Sequence, residues 1–224
     1  MKLYLVRHGQ THGNIERRYA GRSESQLSSK GITEMKKVKE IIGNAHFDAV
    51  FTSERERTID SARLLVNEKL SIDCRLNERD FGIFENKTYK EICHNNPVEQ
   101  KAWEDNWIDY KIPKGESVKD VYERAVQFMK TLEEKNYDNC LAVTHGGIIR
   151  LIYCYVLGGD LNNFWKIASK NGSISILKFE YKNWYIDSII QLEAVENIDV
   201  HKRRLRSNGT GAIKNIEVVR CKDE

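Results

Sequence analysis

Apolar positions recur along the chain with two periods, and the switching between them outlines its elements. Residues 3–6 form a short apolar run, read as a buried strand. Met35, Val38, Ile41 and Ile42 follow at helical spacing. Ser28 or Ser29 is a candidate cap for a helix running to about Ile42. Residues 49–51 read as a second strand, 58–66 as a helix burying Ile59, Ala62, Leu65 and Val66, and 71–74 as a third strand. Residues 88–110 read as helical and polar, with Trp103 and Trp107 four apart on one face. Val118, Val121, Tyr122, Ala125, Phe128, Met129 and Leu132 mark an amphipathic helix. A buried strand at 140–143 precedes a largely apolar helix at 148–157. Residues 173–180 and 184–190 alternate about Lys182-Asn183, which predicts a hairpin.

Strands alternating with helices imply an α/β fold. The expectation is a three-layer α/β/α sandwich with a mainly parallel central sheet and an antiparallel edge. The chain has 224 residues and only two prolines, Pro97 and Pro113, with no linker-like stretch. One domain is expected over residues 1–195, followed by a tail at 196–224.

Composition narrows the function classes. Apolar residues make up 40% and charged residues 31%, an ordinary globular balance. No apolar run approaches the ~20 residues of a membrane span. The apolar N-terminus is short for a signal peptide and runs directly into candidate chemistry, so a cytoplasmic location is expected. Five cysteines, an odd number with no CxxC, indicate reduced thiols, with Cys140 and Cys154 in the core. They suggest neither a disulfide framework nor a zinc site. The net charge of +3 sits in the tail: residues 199–224 hold seven Lys/Arg and four Asp/Glu, and the rest holds 29 of each. The run His201-Lys202-Arg203-Arg204-Leu205-Arg206 reads as a solvated cluster. Neither a nucleic-acid partner nor a membrane partner is expected.

One internal echo carries chemistry. Leu5-Val6-Arg7-His8-Gly9 and Ala142-Val143-Thr144-His145-Gly146 share a plan of apolar strand, polar residue, His and Gly. Ligands of open α/β sheets bind beyond the carboxyl ends of strands, at a topological switch point. Two segments would thus bring their histidines to one cleft. The glycines admit backbone amides close to an anion.

The stretch Leu5-Val6-Arg7-His8-Gly9-Gln10-Thr11 resembles the signature of the histidine phosphatase superfamily, in its phosphoglycerate mutase-like branch. Other segments match in order: Asn14; Gly21 and Leu27; Ser53, Arg57 and Ala62; Leu76-Asn77-Glu78-Arg79; Phe81-Gly82; Gly115-Glu116-Ser117; Thr144-His145-Gly146-Gly147; and Asn171. The match spans roughly residues 1–190. It implies a metal-independent, cofactor-free phosphomonoesterase acting on a small phosphorylated metabolite. His8 would be the nucleophile and Glu78 the general acid. Arg7, Arg57 and a cationic His145 would be catalytic charge neutralisers, and Arg7, Asn14, Arg57, His145 and Gly146 would hold the phosphate.

Elementary chemistry agrees with these roles. A phosphate monoester carries about two negative charges near neutral pH. Planar guanidinium forks bind its oxygens, a neutral imidazole can attack phosphorus, and a poor alkoxide leaving group needs a proton. Glu85, Asp80 and Glu116 are alternative acids, and Arg57 could instead pair with Glu54 or Asp60. His12, His46, His94 and His201 match no catalytic position and read as surface residues. Trp103 and Trp107 read as packing residues ahead of substrate-stacking ones.

Three departures from the family pattern bear on substrate choice. Phe84-Glu85-Asn86 stands where Trp-Glu-Gly is usual, Glu24-Ser25-Gln26-Leu27 replaces Asp-x-Pro-Leu, and Ser61 replaces Thr before Ala62. A phosphoglycerate mutase is the runner-up. However, only 29 residues separate Glu85 from Gly115, without the basic insertion of cofactor-dependent mutases. Lys87-Thr88-Tyr89-Lys90-Glu91-Ile92 and the two tryptophans resemble the α-ribazole phosphatases. A non-catalytic phospho-ligand scaffold is the alternative of another class, disfavoured because nucleophile and acid are both present.

Overall fold

A computed structural model describes residues 1–192 of the chain. A six-stranded sheet forms its centre: β1 (Lys2–Arg7), β2 (Ala49–Thr52), β3 (Leu70–Ile72), β4 (Asn139–Thr144), β5 (Ile174–Glu180) and β6 (Asn183–Ile190). The strand order is β3-β2-β4-β1-β5-β6. The pairs β2–β3, β2–β4 and β1–β4 are parallel, whereas β1–β5 and β5–β6 are antiparallel. This is the expected mainly parallel sheet with an antiparallel edge.

Side-chain alternation builds the three layers. In β1, Leu3 and Leu5 face one core while Val6 faces the other; in β4, Cys140 and Ala142 oppose Leu141 and Val143. Helices α2 (Ser29–Ile42) and α3 (Glu56–Leu65) cover one face through Met35, Val38, Ala62 and Leu65. Helices α6 (Val118–Glu133) and α7 (Gly146–Val156) cover the other through Val121, Phe128, Ile148 and Ile152. Ser28 caps α2 by accepting from Gly31 N, and Ser117 with Asp120 forms a capping box for α6. The short α1 (His12–Ile15) is held by a Thr11–Asn14 capping box.

Several boundaries differ from the expectation. Ile41 is exposed, and Ile59 and Val66 are only partly buried. Strand β3 is Leu70–Ile72, and Cys74 opens a 3-10 turn instead. The region 88–110 breaks into α4 (Tyr89–Asn95) and α5 (Pro97–Asp105), because a residue before proline disfavours the helical conformation. Asn96 accordingly has φ −139° and ψ 52°. Phe84, Ile92 and Ile112 form a small satellite core there, with Trp103 packed against it and Trp107 beyond the end of α5. The hairpin turns on Tyr181-Lys182, with φ 52° and 61°, one residue earlier than expected. Two consecutive left-handed residues match the right-handed twist of the strands. The domain boundary near residue 195, the basic cluster, His201 and Cys221 lie outside the described residues.

Candidate active site

The sheet brings the two histidines together. β1 and β4 are parallel neighbours with Arg7 opposite Thr144, and His8 N donates to Thr144 O at 3.0 Å. The chain leaves β1 toward β2 and leaves β4 toward β5, so this is the topological switch point. The imidazole centroids of His8 and His145 lie 5.2 Å apart at an interplanar angle of 67°. Both rings are buried.

Hydrogen-bond partners assign their protons. His8 Nδ1 lies 2.8 Å from Gly9 O; a carbonyl only accepts, so Nδ1 carries the hydrogen and Nε2 keeps its lone pair. Arg57 Nε donates to His145 Nδ1 at 3.3 Å. The His145 proton is therefore on Nε2, which is 2.8 Å from Ser53 Oγ. Burial, then Arg57 and Arg7, push the His8 pKa well below the usual histidine value. Burial, Arg57, His8 and Arg7 do the same for His145. These surroundings favour a neutral His145 ring, because they add positive charge and remove water.

Arg57 does not make the alternative ion pair considered for it. It pairs with neither Glu54 nor Asp60. Its guanidinium donates to Ser23 O, Ala20 O and Gly21 O at 2.8–3.0 Å, besides His145, which leaves one of five N–H groups. It braces the 20–23 loop against the histidine pair. Arg7 is less committed: one amino group donates to Ser169 O, and its buried Nε has no partner among the described residues. Asn14 Oδ1 accepts from Thr11 N and Asn171 Nδ2, and Asn171 also donates to His8 O. Asn171 therefore links the Asn14 side chain to the His8 backbone.

Glu78 sits beside these groups at the start of α7. Its two carboxyl oxygens each accept one backbone N–H, from Arg79 at 2.9 Å and from Gly147 at 3.0 Å. A Cβ on Gly147 would lie 2.2 Å from Glu78 Oε1, and one on Gly146 would lie 3.1–3.2 Å from the Arg7 guanidinium. The missing Cβ atoms leave room for the Glu78 carboxyl and the Arg7 guanidinium beside the helix start. The alternative acids are occupied elsewhere. Glu85 accepts from the backbone N–H groups of Gly21, Arg22, Ser23 and Phe81 and from Ser23 Oγ. Glu116 is paired with Arg124, and Asp80 accepts from Gly82 N and Arg22.

The family departures have local explanations. Ser61 Oγ donates to Arg57 O and accepts from Gly9 N, work a threonine hydroxyl does equally. Asn86 adopts φ 57°, the left-handed conformation a glycine would take there. Phe84 is fully buried in the satellite core. His12, His46 and His94 are exposed, as expected. Cys140 and Cys154 are buried free thiols, while Cys74 and Cys93 are free and less buried.

Beside Arg7 and Glu78 opens a cavity of about 580 Å³. Its walls include Tyr19, Phe81, Tyr89, Trp103, Trp107, Phe164 and Trp165, together with Arg79 and Arg150. Trp103 and Trp107 thus pack and line the cavity at once. Arg79 lay in the matched segment Leu76-Asn77-Glu78-Arg79 without an assigned role, whereas Arg150 and Trp165 carried no sequence signal: each sits in a stretch that reads as ordinary helix or loop. Among the described residues no three His, Cys, Asp or Glu side chains are grouped to hold a metal ion. Also among them, no helix is long and apolar enough to cross a membrane.

Two neutral histidines at adjacent strand ends, ringed by buried arginines, define an α/β protein built to handle a phosphate-like anion. The chain belongs to the histidine phosphatase superfamily, branch 1, whose family model matches residues 3–191. It is similar to the adenosylcobalamin/alpha-ribazole phosphatase of Escherichia coli, 29% identical over 187 residues, covering 81% of this chain and 92% of the relative. Phosphoserine phosphatase 1 of Hydrogenobacter thermophilus is 28% identical over 184 residues, 80% of this chain and 87% of the relative. The crystal structure of the alpha-ribazole phosphatase of Shigella flexneri superposes with a TM-score of 0.81 at 27% identity, covering 85% of this chain and 96% of that one.

Proposed function

We propose that this protein is a metal-independent phosphomonoesterase that passes the phosphoryl group of its substrate through His8 Nε2. The observation that carries the reading is the His8 tautomer: Nδ1–H is tied to Gly9 O, so a buried, neutral ring keeps a lone pair on Nε2. Nitrogen attack forms the N–P bond as the ester P–O bond breaks, and protonated Glu78 gives its proton to the departing oxygen. Water then attacks phosphorus, the N–P bond breaks, inorganic phosphate leaves and Glu78 recovers a proton from the water. Arg7, with its unpartnered Nε, binds the phosphoryl oxygens, supported by Asn14 and the remaining N–H of Arg57. Gly146 contributes the close approach of the α7 start. A phosphate dianion beside the rings favours protonation of His145, which becomes a cationic donor during turnover, while the His8 Nδ1–H bond to Gly9 O leaves Nε2 free to attack.

The engagement of Glu85, Glu116 and Asp80 elsewhere supports Glu78 as the acid. The four described cysteines are free thiols, in keeping with a cytoplasmic setting. The aromatic cavity favours one narrower reading: a bulky, flat leaving group, for which an alpha-ribazole phosphate is the candidate supplied by the relatives' names. Acid-quenched turnover tests the main reading: a labile phosphate on the His8 peptide supports it, and phosphate on another residue overturns it.

A further inference from the structure

Glu78 stands on backbone that belongs to no helix or strand. The 3-10 turn Cys74–Leu76 ends before it, and the next begins at Gly82. Carbonyls of such a segment must find partners elsewhere in the fold. Leu76 O accepts from Thr144 Oγ1 at 2.7 Å, one residue before His145. Arg75 O, Asn77 O and Glu78 O all accept from Arg124 of α6, at 2.8, 2.6 and 3.2 Å. One side chain thus gathers the carbonyl of the candidate acid and two of those just before it.

Arg124 has no donor left over. Nη1 serves Arg75 O and Asn77 O, Nη2 serves Glu78 O and Glu116 Oε2, and Nε serves Glu116 Oε1, so its five N–H groups meet five acceptors. Glu116 extends the bracket past the acid: its Oε2 also accepts from Asp80 N, and its own N–H donates to Asp80 O. Both residues are anchored on α6, Glu116 just ahead of the Ser117 cap and Arg124 two turns in, beside the buried Val121 and Ala125. The cavity walls include neither Arg124 nor Glu116. The pair grips the backbone and leaves the substrate space to others.

A general acid must lie within hydrogen-bond reach of the leaving oxygen, and a misplacement of about 1 Å can cost ~10²-fold. The Glu78 carboxyl has two backbone contacts, Arg79 N and Gly147 N. Arg79 is the next residue and moves with Glu78, so it cannot fix the acid against the histidines. We infer that Arg124, braced by Glu116, is a positioning residue for proton transfer, holding the backbone of Glu78 so that the carboxyl meets the leaving oxygen. The inference rests on the reading of Glu78 as the acid. The planar fork is required, because a lysine ammonium cannot present parallel donors to a carboxylate and three carbonyls at once.

Leaving-group selectivity separates this role from general support of the fold. In Arg124→Lys, which keeps the charge, kcat/KM on an alkyl phosphate should fall at least ~tenfold further than on p-nitrophenyl phosphate, whose leaving group needs little help. The Arg124 charge also reaches His145, but an effect there falls on the phosphoryl group that both substrates share. Glu78→Gln/Arg124→Lys should match the selectivity of Glu78→Gln within about threefold, because no proton remains to be placed. Equal losses on both substrates in Arg124→Lys would overturn the proposal and leave a structural role. So would a further alkyl-selective loss added to that of Glu78→Gln. If Arg124→Lys does not fold, Glu116→Gln, which weakens the fork and keeps the arginine, carries the same pair of measurements. Equal losses on both substrates in Glu78→Gln alone would remove the acid reading and this inference with it, so failure of the acid is told apart from failure of its brace.

Discussion

Arg57 Nε donates to His145 Nδ1 across 3.3 Å, and that contact fixes the protonation of the second histidine. An arginine in a protein is always a donor, so His145 Nδ1 must accept. The His145 proton moves to Nε2 and Ser53, the reverse of His8, whose proton is on Nδ1. The two rings that face each other are therefore neutral and in opposite tautomers.

His8 is expected to carry the phosphoryl group. His8→Ala should lose at least ~10³-fold in kcat, the scale on which loss of a nucleophile acts. Peptide mapping of acid-quenched wild-type protein should find phosphate on His8, and finding it on His145 would exchange the two roles.

Glu78→Gln preserves shape and removes proton transfer. The loss in kcat/KM on an alkyl phosphate should be at least ~10²-fold. On p-nitrophenyl phosphate, whose leaving group needs little help, the loss should be at least about tenfold smaller. Equal losses would make Glu78 a phosphate-positioning residue.

Glu85 gathers four backbone N–H groups of residues 21–23 and 81 and one hydroxyl, so its role is to hold the loop that Arg57 grips from the other side. Glu85→Ala should destabilise the fold by roughly 1–3 kcal/mol, since four backbone N–H groups, most of them partly buried, lose a charged acceptor. Its activity loss should be the same for alkyl and nitrophenyl phosphates. A loss confined to the alkyl substrate would make Glu85 the acid.

The paired histidines should make stability fall in mild acid. Their folded pKa values are depressed, so the unfolded chain binds more protons below about pH 6.5. Stability is full above that pH and is lost as pH falls toward the folded values, with a limiting slope of about 2.7 kcal/mol per pH unit for two protons. Denaturant titrations between pH 7 and 5 should show a shallower decline in His8→Gln/His145→Gln than in the wild type. Parallel curves would mean that the rings are protonated in the native state.

Turnover is expected to survive dialysis against a chelator, because charge neutralisation is assigned to Arg7, Arg57 and a protonated His145. Activity lost to the chelator and restored by magnesium or zinc would refute the metal-independent reading.

Much of the fold was legible in the chain because its cues are local. The apolar run at 140–143, the spacing of Met35 and Val38, and a helix cap at Ser28 act over a few residues, so they can be read in order. The strand–Arg/Thr–His–Gly plan also identified both histidines, since position past a strand end follows from the strand itself. What tertiary structure decided involves groups distant in sequence. The histidine tautomers depend on Arg57 and Gly9 carbonyl contacts, and the assignment of Glu85 to the 21–23 loop depends on a contact 64 residues away. The chemistry of Arg150 is the clearest case. In sequence it is one cation on an apolar helix; only folding sets Phe164 and Trp165 against it and leaves its buried Nε without a partner among the described residues. Periodicity reports which face of an element is buried, whereas a proton's position or an arginine's partner is set by whatever the chain brings beside it.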